Sequence, residues 1–258
     1  MLAHVVPGRG DSLTHRFARA RGDASLATLE GFHALKHALR FGATVVVVAA
    51  VDPDALERMA AELAPDLAGR FRALAGEPVT PEVLSTLVPY VPRTQVVALA
   101  TRPPFDATRL RAAREAGPVV LLEDPRDLGN VGSSVRAAAG AGAAGVVTTG
   151  MHDPWDPAAL RGSAGLHYAL PVGRDDAFAL DTGGRPLLAL DPEGDVLDPA
   201  TVPPDAVLAF GTERQGLSDA LLARADARLR LPMRPGVSSL NLATAVSAVL
   251  FAWRLAHG

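Results

Sequence analysis

Three stretches in the second half of the sequence carry Gly, Asn, Arg, Glu and Ser at places where a plain core would want aliphatic side chains. The first, DLGNVGSSVRAAAGAGA from Asp127, follows an apolar run and opens a helical pattern. Gly129 and Gly132 permit a tight backbone there, and Asn130 can cap the helix. Arg136 emerges among alanines with room to reach a phosphate or a polar pocket. A capped helix with a surface arginine accounts for the same residues. In the second, LAFGTERQGLSDALLARAD, an apolar strand ends at Gly211, a polar run containing Glu213 follows, and Ser218 or Asp219 can cap the next helix. Ligands of open α/β sheets sit at such strand ends. Gly211 would let backbone approach a ligand, with Glu213 pointing in or binding a neighbouring arginine; a simple strand-to-helix turn is the alternative. The third, LRLPMRPGVSSLNLATAVSAVLFAWRL, runs from a strand ending at Leu231, Pro232 and Met233 through a loop into a helix. Ser239 and Asn241 stand at the mouth of that helix, and capping alone explains Ser239. Leu242, Val246, Val249 and Trp253 follow at helical spacing, as a core or subunit-interface face.

The elements that must position these residues read as two α/β regions. In the first, a helix is expected over Leu29 to Arg40. The run from Thr44 (TVVVVAA) reads as a covered parallel strand, and Asp52 and Pro53 open a second helix. A short helix near Pro81 to Val88 and a strand from Gln95 complete that region, set at residues 1–105. The proline-flanked, arginine-rich segment 106–117 is read as a linker. Over 118–258, strands from Val119, Gly145, Pro186 and Ala206 alternate with helices from about Val131, Pro157 and Ser239. That rhythm predicts a mostly parallel sheet with right-handed crossovers.

Composition narrows the classes. The 258 residues suffice for two domains, and the absence of cysteine excludes disulfides, thiolate catalysis and thiolate-bound zinc. No run of some eighteen apolar residues appears, and charges interrupt the N-terminus where a leader would be apolar, so a cytoplasmic protein without a membrane partner is expected. Net charge is -3, which by itself disfavours a nucleic-acid partner. Residues 1–42, however, hold six basic against three acidic residues and leave room for a basic face or a solvated arm. His33 and His37 have the spacing of a metal pair, but no third ligand is visible and no metal is expected.

Read in order, the three stretches resemble the motifs of the SpoU (TrmH-type) RNA ribose methyltransferases of the SPOUT class. Asn130, Gly132 and Arg136 match the family's Asn-x-Gly-x-x-x-Arg. Gly211, Glu213 and Gly216 match Gly-x-Glu-x-x-Gly, and Pro232, Met233, Ser239, Leu240 and Asn241 match Pro-Met followed by Ser-Leu-Asn. Arg161, Ser163 and Gly165 match an intervening Arg-x-Ser-x-Gly. Leu128 departs from the family's proline before Gly-Asn, which changes a turn residue and leaves the polar side chains in place. EGFHALKHALRFGA resembles more loosely the family's ribosomal-protein-like substrate-binding domain.

The resemblance implies a SPOUT domain with a trefoil knot, a smaller N-terminal RNA-binding domain, and a homodimer through the C-terminal helix. It implies transfer of a methyl group from S-adenosylmethionine to a ribose 2'-hydroxyl, in ribosomal before transfer RNA; a catalytically silent RNA-binding protein is the rival. Gly211, Leu231, Met233 and Leu240 would hold the cofactor, while Asn130, Arg136, Glu213, Ser239 and Asn241 would serve the reaction. The resemblance casts Arg136 as general base. An arginine holds its proton far above neutral pH, so giving it up to act as a base near neutrality is costly. Holding the substrate phosphate or hydroxyl and stabilising a developing alkoxide suits a guanidinium better.

Overall fold

The computed structural model describes residues 12–212 and 215–258, so Arg9 of the basic stretch and the motif residue Glu213 lie outside the described residues. The chain forms two units that divide between Pro104 and Phe105.

The first unit runs α1 (Leu13–Ala20), β1 (Leu26–Glu30), α2 (Phe32–Arg40), β2 (Val45–Ala50), α3 (Pro53–Leu63), α4 (Ala68–Leu74), β3 (Glu77–Pro78), α5 (Pro81–Leu87) and β4 (Val96–Thr101). Its sheet has the order β1-β4-β2-β3. β4 is antiparallel to both neighbours, and β2 is parallel only to the two-residue β3. The expected parallel character of β2 is thus corrected. Val47 and Ala49 pack with α1 and α5 while Val48 is buried on the alternate face, and a run apolar on both faces reports cover on both sides, whatever the strand direction. The helix expected from Leu29 starts instead at Phe32. Leu29 and Glu30 pair with β4, and Gly31, at φ 94°, turns the chain in a conformation that favours glycine. Asp52 caps α3, accepting from the Ala55 amide at 2.9 Å. The described part of the basic N-terminal stretch is folded: in α1, Phe17 and Ala20 are buried, and Arg16 pairs with Glu77 at 3.2 Å.

The second unit runs α6 (Ala107–Ala112), β5 (Val119–Leu122), α7 (Leu128–Ala141), β6 (Gly145–Thr148), α8 (Pro157–Gly162), β7 (Val172–Arg174), β8 (Leu187–Val196), β9 (Val207–Phe210), α9 (Asp219–Arg224), β10 (Ala227–Arg230) and α10 (Leu242–His257). Its six strands are all parallel, in the order β10-β8-β9-β5-β6-β7. β5 and β9, in the middle, are buried along their whole length, as strands covered on both faces must be. The stretch read as a linker folds into this unit, because Leu110 of α6 is buried with Val119, Leu121 and Val147.

Its carbonyls have a further anchor. Arg185, only 2% exposed, donates to the carbonyls of Leu110, Arg111, Ala113, Gly117 and Asp205. Burial lowers its pKa, and the nearby Asp205 opposes that shift. One guanidinium therefore ties the end of α6 to the starts of β5, β8 and β9.

Candidate active site

The chain order of the second sheet reverses at β5 and β9, and ligands of open parallel sheets bind beyond the carboxyl ends of strands at such a reversal. Two clefts open on that side. A cavity of ≈ 210 Å³ is lined by Leu190, Phe210, Gly211, Leu229, Leu231, Met233 and Leu240, with Asp191, Thr212, Arg230 and Ser239 among its polar groups. A wider, polar cleft of ≈ 720 Å³ shares Thr212 with it and is lined by Arg126, Asp127, Gly129 and Gln215.

The cavity follows from local backbone chemistry. β8 and β10 are in register at Leu188 and Ala189, and the pairing then jumps from Arg228–Ala189 to Leu229–Asp195. The residues of β8 left out of the ladder include Leu190, Asp191 and Pro192, which line the cavity. Proline and glycine inside a strand run, here Pro192 and Gly194, mark such a bulge, and bulges sit beside sites. Sequence reasoning passed over this signal and missed Asp191. On another wall Gly211 directly follows β9. A Cβ there would lie 2.0 Å from the Gly216 carbonyl carbon, because Thr212 and Gly216 exchange backbone hydrogen bonds at 3.2 and 3.0 Å. No larger residue fits at Gly211 while that loop stays closed.

The first motif is positioned by α7. Asp127, not Asn130, caps it: the Asp127 carboxylate accepts from the Asn130 amide at 3.0 Å, and the helix begins at Leu128. A carboxylate is as good a cap as an amide and stands one turn earlier, which leaves the Asn130 side chain for another task. Gly132 serves helix packing rather than a turn. It lies inside α7, and a Cβ on it would be 2.0 Å from the Ala159 carbonyl oxygen of α8. Gly132→Ala should therefore force α7 and α8 apart and cost about 1–3 kcal/mol, read by urea unfolding; a loss under about 0.5 kcal/mol would mean the contact yields freely.

The third motif reaches α7 through one amide. Asn241, not Ser239, caps α10: its Oδ1 accepts from the Thr244 amide at 3.3 Å and its Nδ2 donates to Asn130 Oδ1 at 3.0 Å. Since Oδ1 is committed to the helix, the carboxamide orientation is set and Asn130 must present its oxygen. Ser239 is exposed, on the cavity lining. Leu242, Val246, Val249 and Trp253 are buried along α10. Within the intervening motif, Ser163 and Gly165 are structural, the Gly165 amide donating to Ser163 Oγ at 3.1 Å. Ser163 is fully buried with its Oγ 2.7 Å from His167 Nδ1, and His167 Nε2 is 2.8 Å from the Pro154 carbonyl. A carbonyl only accepts, so Nε2 carries a proton toward Pro154, while the Ser163 hydroxyl also lies 3.1 Å from the Leu160 carbonyl.

Five of the nine proposed residues, Gly211, Leu231, Met233, Ser239 and Leu240, thus line one cavity, and Asn130 and Asn241 are joined. Arg136 stands exposed on α7, away from that lining. It follows Asn130 by six residues, a spacing that puts the two on different helix faces. Glu213 is outside the described residues. Glu123, after β5, supplies an unforeseen brace, accepting from the Ser218 amide at 2.7 Å and the Ser218 hydroxyl at 2.6 Å.

The SpoU rRNA methylase family profile matches residues 117–251. The chain is 35% identical over 170 residues to a 23S rRNA (uridine(2479)-2'-O)-methyltransferase of Streptomyces viridochromogenes, a match that covers 61% of this chain and 58% of that one. It is 33% identical over 214 residues to an uncharacterized tRNA/rRNA methyltransferase of Mycobacterium bovis, covering 76% and 70%. Among solved structures, the SpoU methyltransferase AviRb from Streptomyces viridochromogenes, in complex with the cofactor AdoMet, superimposes with a TM-score of 0.74 at 26% identity over 95% of this chain and 98% of that one.

Proposed function

The chain belongs to the SpoU rRNA methylase family, and from that premise we propose that it transfers the methyl group of S-adenosylmethionine to a ribose 2'-hydroxyl of RNA, with ribosomal RNA favoured over transfer RNA. The observation that carries this reading is the junction of an apolar cavity at the ends of β8, β9 and β10 with the Asn130–Asn241 hydrogen bond.

The cavity fits the cofactor chemically. Leucine, methionine and phenylalanine side chains suit an adenine ring and a thioether, while Asp191, Thr212 and Ser239 offer polar partners at its edge. Bound there, S-adenosylmethionine would supply an electrophilic sulfonium methyl group. Leu231, Met233 and Leu240 cover the cavity and keep water from it, and Gly211 admits the ligand to the backbone. The polar cleft next to it takes the acceptor nucleotide, whose ribose is held by Ser239 and the Asn130–Asn241 pair. The motif match, and not this cavity's lining, assigns Arg136 to a phosphate or the developing alkoxide and Glu213 to ordering that arginine. Orientation of the hydroxyl toward the methyl group supplies much of the acceleration.

The same reading assigns RNA docking to residues 1–105 and methyl transfer to 118–258 of a cytoplasmic protein. Family membership supports a trefoil knot, in which Leu231, Met233, Ser239 and Leu240 would line the cavity together with Gly211, Thr212 and Gly216. A homodimer through α10 is supported by Phe251 and Leu255, which stand 45% and 86% exposed on that helix. No helix among the described residues is long and apolar enough to cross a membrane.

Incubation with labelled S-adenosylmethionine and size-fractionated bacterial RNA tests the substrate. Label should enter ribosomal RNA. Label confined to transfer RNA would reverse the preference and keep the reaction, whereas no label in any fraction would sink the reading.

A further inference from the structure

The solvent side of α2 is wholly basic. Phe32, Ala34, Leu35, Ala38 and Leu39 are buried in the first unit, and the four residues left are His33, Lys36, His37 and Arg40. Steps of three, four and seven along a helix share a face, so the four make one stripe, and Lys36 is the only lysine of the chain. At its start the loop before β4 is fastened on: the Phe32 amide donates to Thr94 Oγ1 at 3.0 Å, and the Cβ position of Gly31 is 3.3 Å from Pro92. That loop presents Tyr90, 59% exposed, and the exposed Arg93. At its end Phe41 is 45% exposed.

Neighbouring charges decide how much of this stripe is available. Arg40 donates to both oxygens of Asp66, at 2.7 Å each, and that hydrogen bond is the main reason the Asp66 carboxyl sits below the ordinary carboxylate range, with a smaller pull from Lys36. Asp66 therefore offsets Arg40. Elsewhere on the unit Arg16, Arg58 and Arg72 are paired with Glu77, Asp52 and Glu57. Among the described residues, Lys36 and Arg93 have no carboxylate within ion-pair distance. Arg21 and Arg70 also lack a carboxylate partner among these residues but are tied to the backbone carbonyls of Leu87 and Leu39, whereas Lys36 and Arg93 stand beside two exposed aromatic rings, Tyr90 and Phe41.

We propose that this face, from Arg93 and Tyr90 along the α2 stripe, is the RNA-docking surface of the first unit, with Lys36 and Arg93 on phosphates and Tyr90 stacked on an unpaired base. It rests on the RNA reading above and gives it an address. Phosphate contacts supply most sequence-independent affinity and are strongly salt-dependent, and exposed rings beside a basic track are the stacking half of single-strand binding.

The double variant Lys36→Glu, Arg93→Glu tests it, against Arg58→Glu, Arg72→Glu as a control with the same change of charge on α3 and α4. Binding of deproteinised bacterial ribosomal RNA is measured across a salt series. The face variant should lose about tenfold or more in affinity and lower the log–log salt slope by about one to two, the control should change less than about twofold, and Lys36→Arg should bind as the wild type does. Far-UV circular dichroism and the urea unfolding midpoint should match wild type in all three, which shows that the first unit is folded in each, and affinity for S-adenosylmethionine, held by the second unit, should be unchanged. RNA binding by the face variant within about twofold of wild type would overturn the proposal, whether or not the wild type methylates RNA. Loss of binding in that variant, with a wild type that transfers no methyl group, would sustain the face and remove the reaction instead.

Discussion

Arg136→Ala should lower methyl transfer to RNA by about 10²–10³-fold and leave S-adenosylmethionine affinity within about twofold, as expected for removal of one preorganised donor to a developing oxyanion. Arg136 is exposed and lies outside the cavity lining, so its loss removes no packing and should change stability by less than about 0.5 kcal/mol. The helix that carries it stays fixed by the Asp127 cap and the close approach of Gly132 to Ala159. The kinetic split identifies the role. A fall in kcat with little change in KM marks alkoxide stabilisation, and a rise in KM alone marks a phosphate contact. Arg136→Lys keeps the charge and loses the fork, so it should recover part of the activity with no new ionisation in the pH–rate profile. Near-normal turnover of Arg136→Ala would remove this residue from the machinery.

Arg185→Met should be the most destabilising single change, at about 3–5 kcal/mol, measured by urea unfolding of the intact chain. The guanidinium is 2% exposed and serves five carbonyls from three segments. Methionine fills much of the space and donates nothing, so those carbonyls are left short of partners in a place water does not reach. Asp205 gives no shortcut, because its Oδ2 already accepts from Arg114 at 2.9 Å. A loss under about 1 kcal/mol would show that the end of α6 is held by Leu110 and its apolar neighbours alone.

Arg185 also illustrates where sequence reading stops. In DTGGRPLL it looks like any loop arginine, and only the fold reveals that three chain segments turn their carbonyls toward it. The segment it anchors, 106–117, has the look of a linker for the same reason: prolines and arginines are loop-like in composition, and a single buried Leu110 leaves no periodic trace. Elements with continuous apolar patterns, β5, β6, β9 and α10, were legible, because burial on both faces or along one stripe writes itself in residue type. Strand direction was not, as β2 shows. At the site, motif spacing brought out the residues of the cavity wall from Gly211 to Leu240. It could not tell that Asp127 and Asn241 do the capping assigned to Asn130 and Ser239, since Asp, Asn and Ser cap almost equally well. Asp191 stayed hidden because a bulge, and no motif, turns it into the cavity.

Identity of the product nucleoside tests the central claim most directly. Ribosomal RNA methylated by the protein with labelled S-adenosylmethionine is digested to nucleosides and resolved by mass, with Arg136→Ala alongside. Label should be found as one 2'-O-methylnucleoside, with the added mass on the ribose fragment, and should be lost in the variant. A methyl group on the base fragment, or equal labelling by Arg136→Ala, would contradict the account.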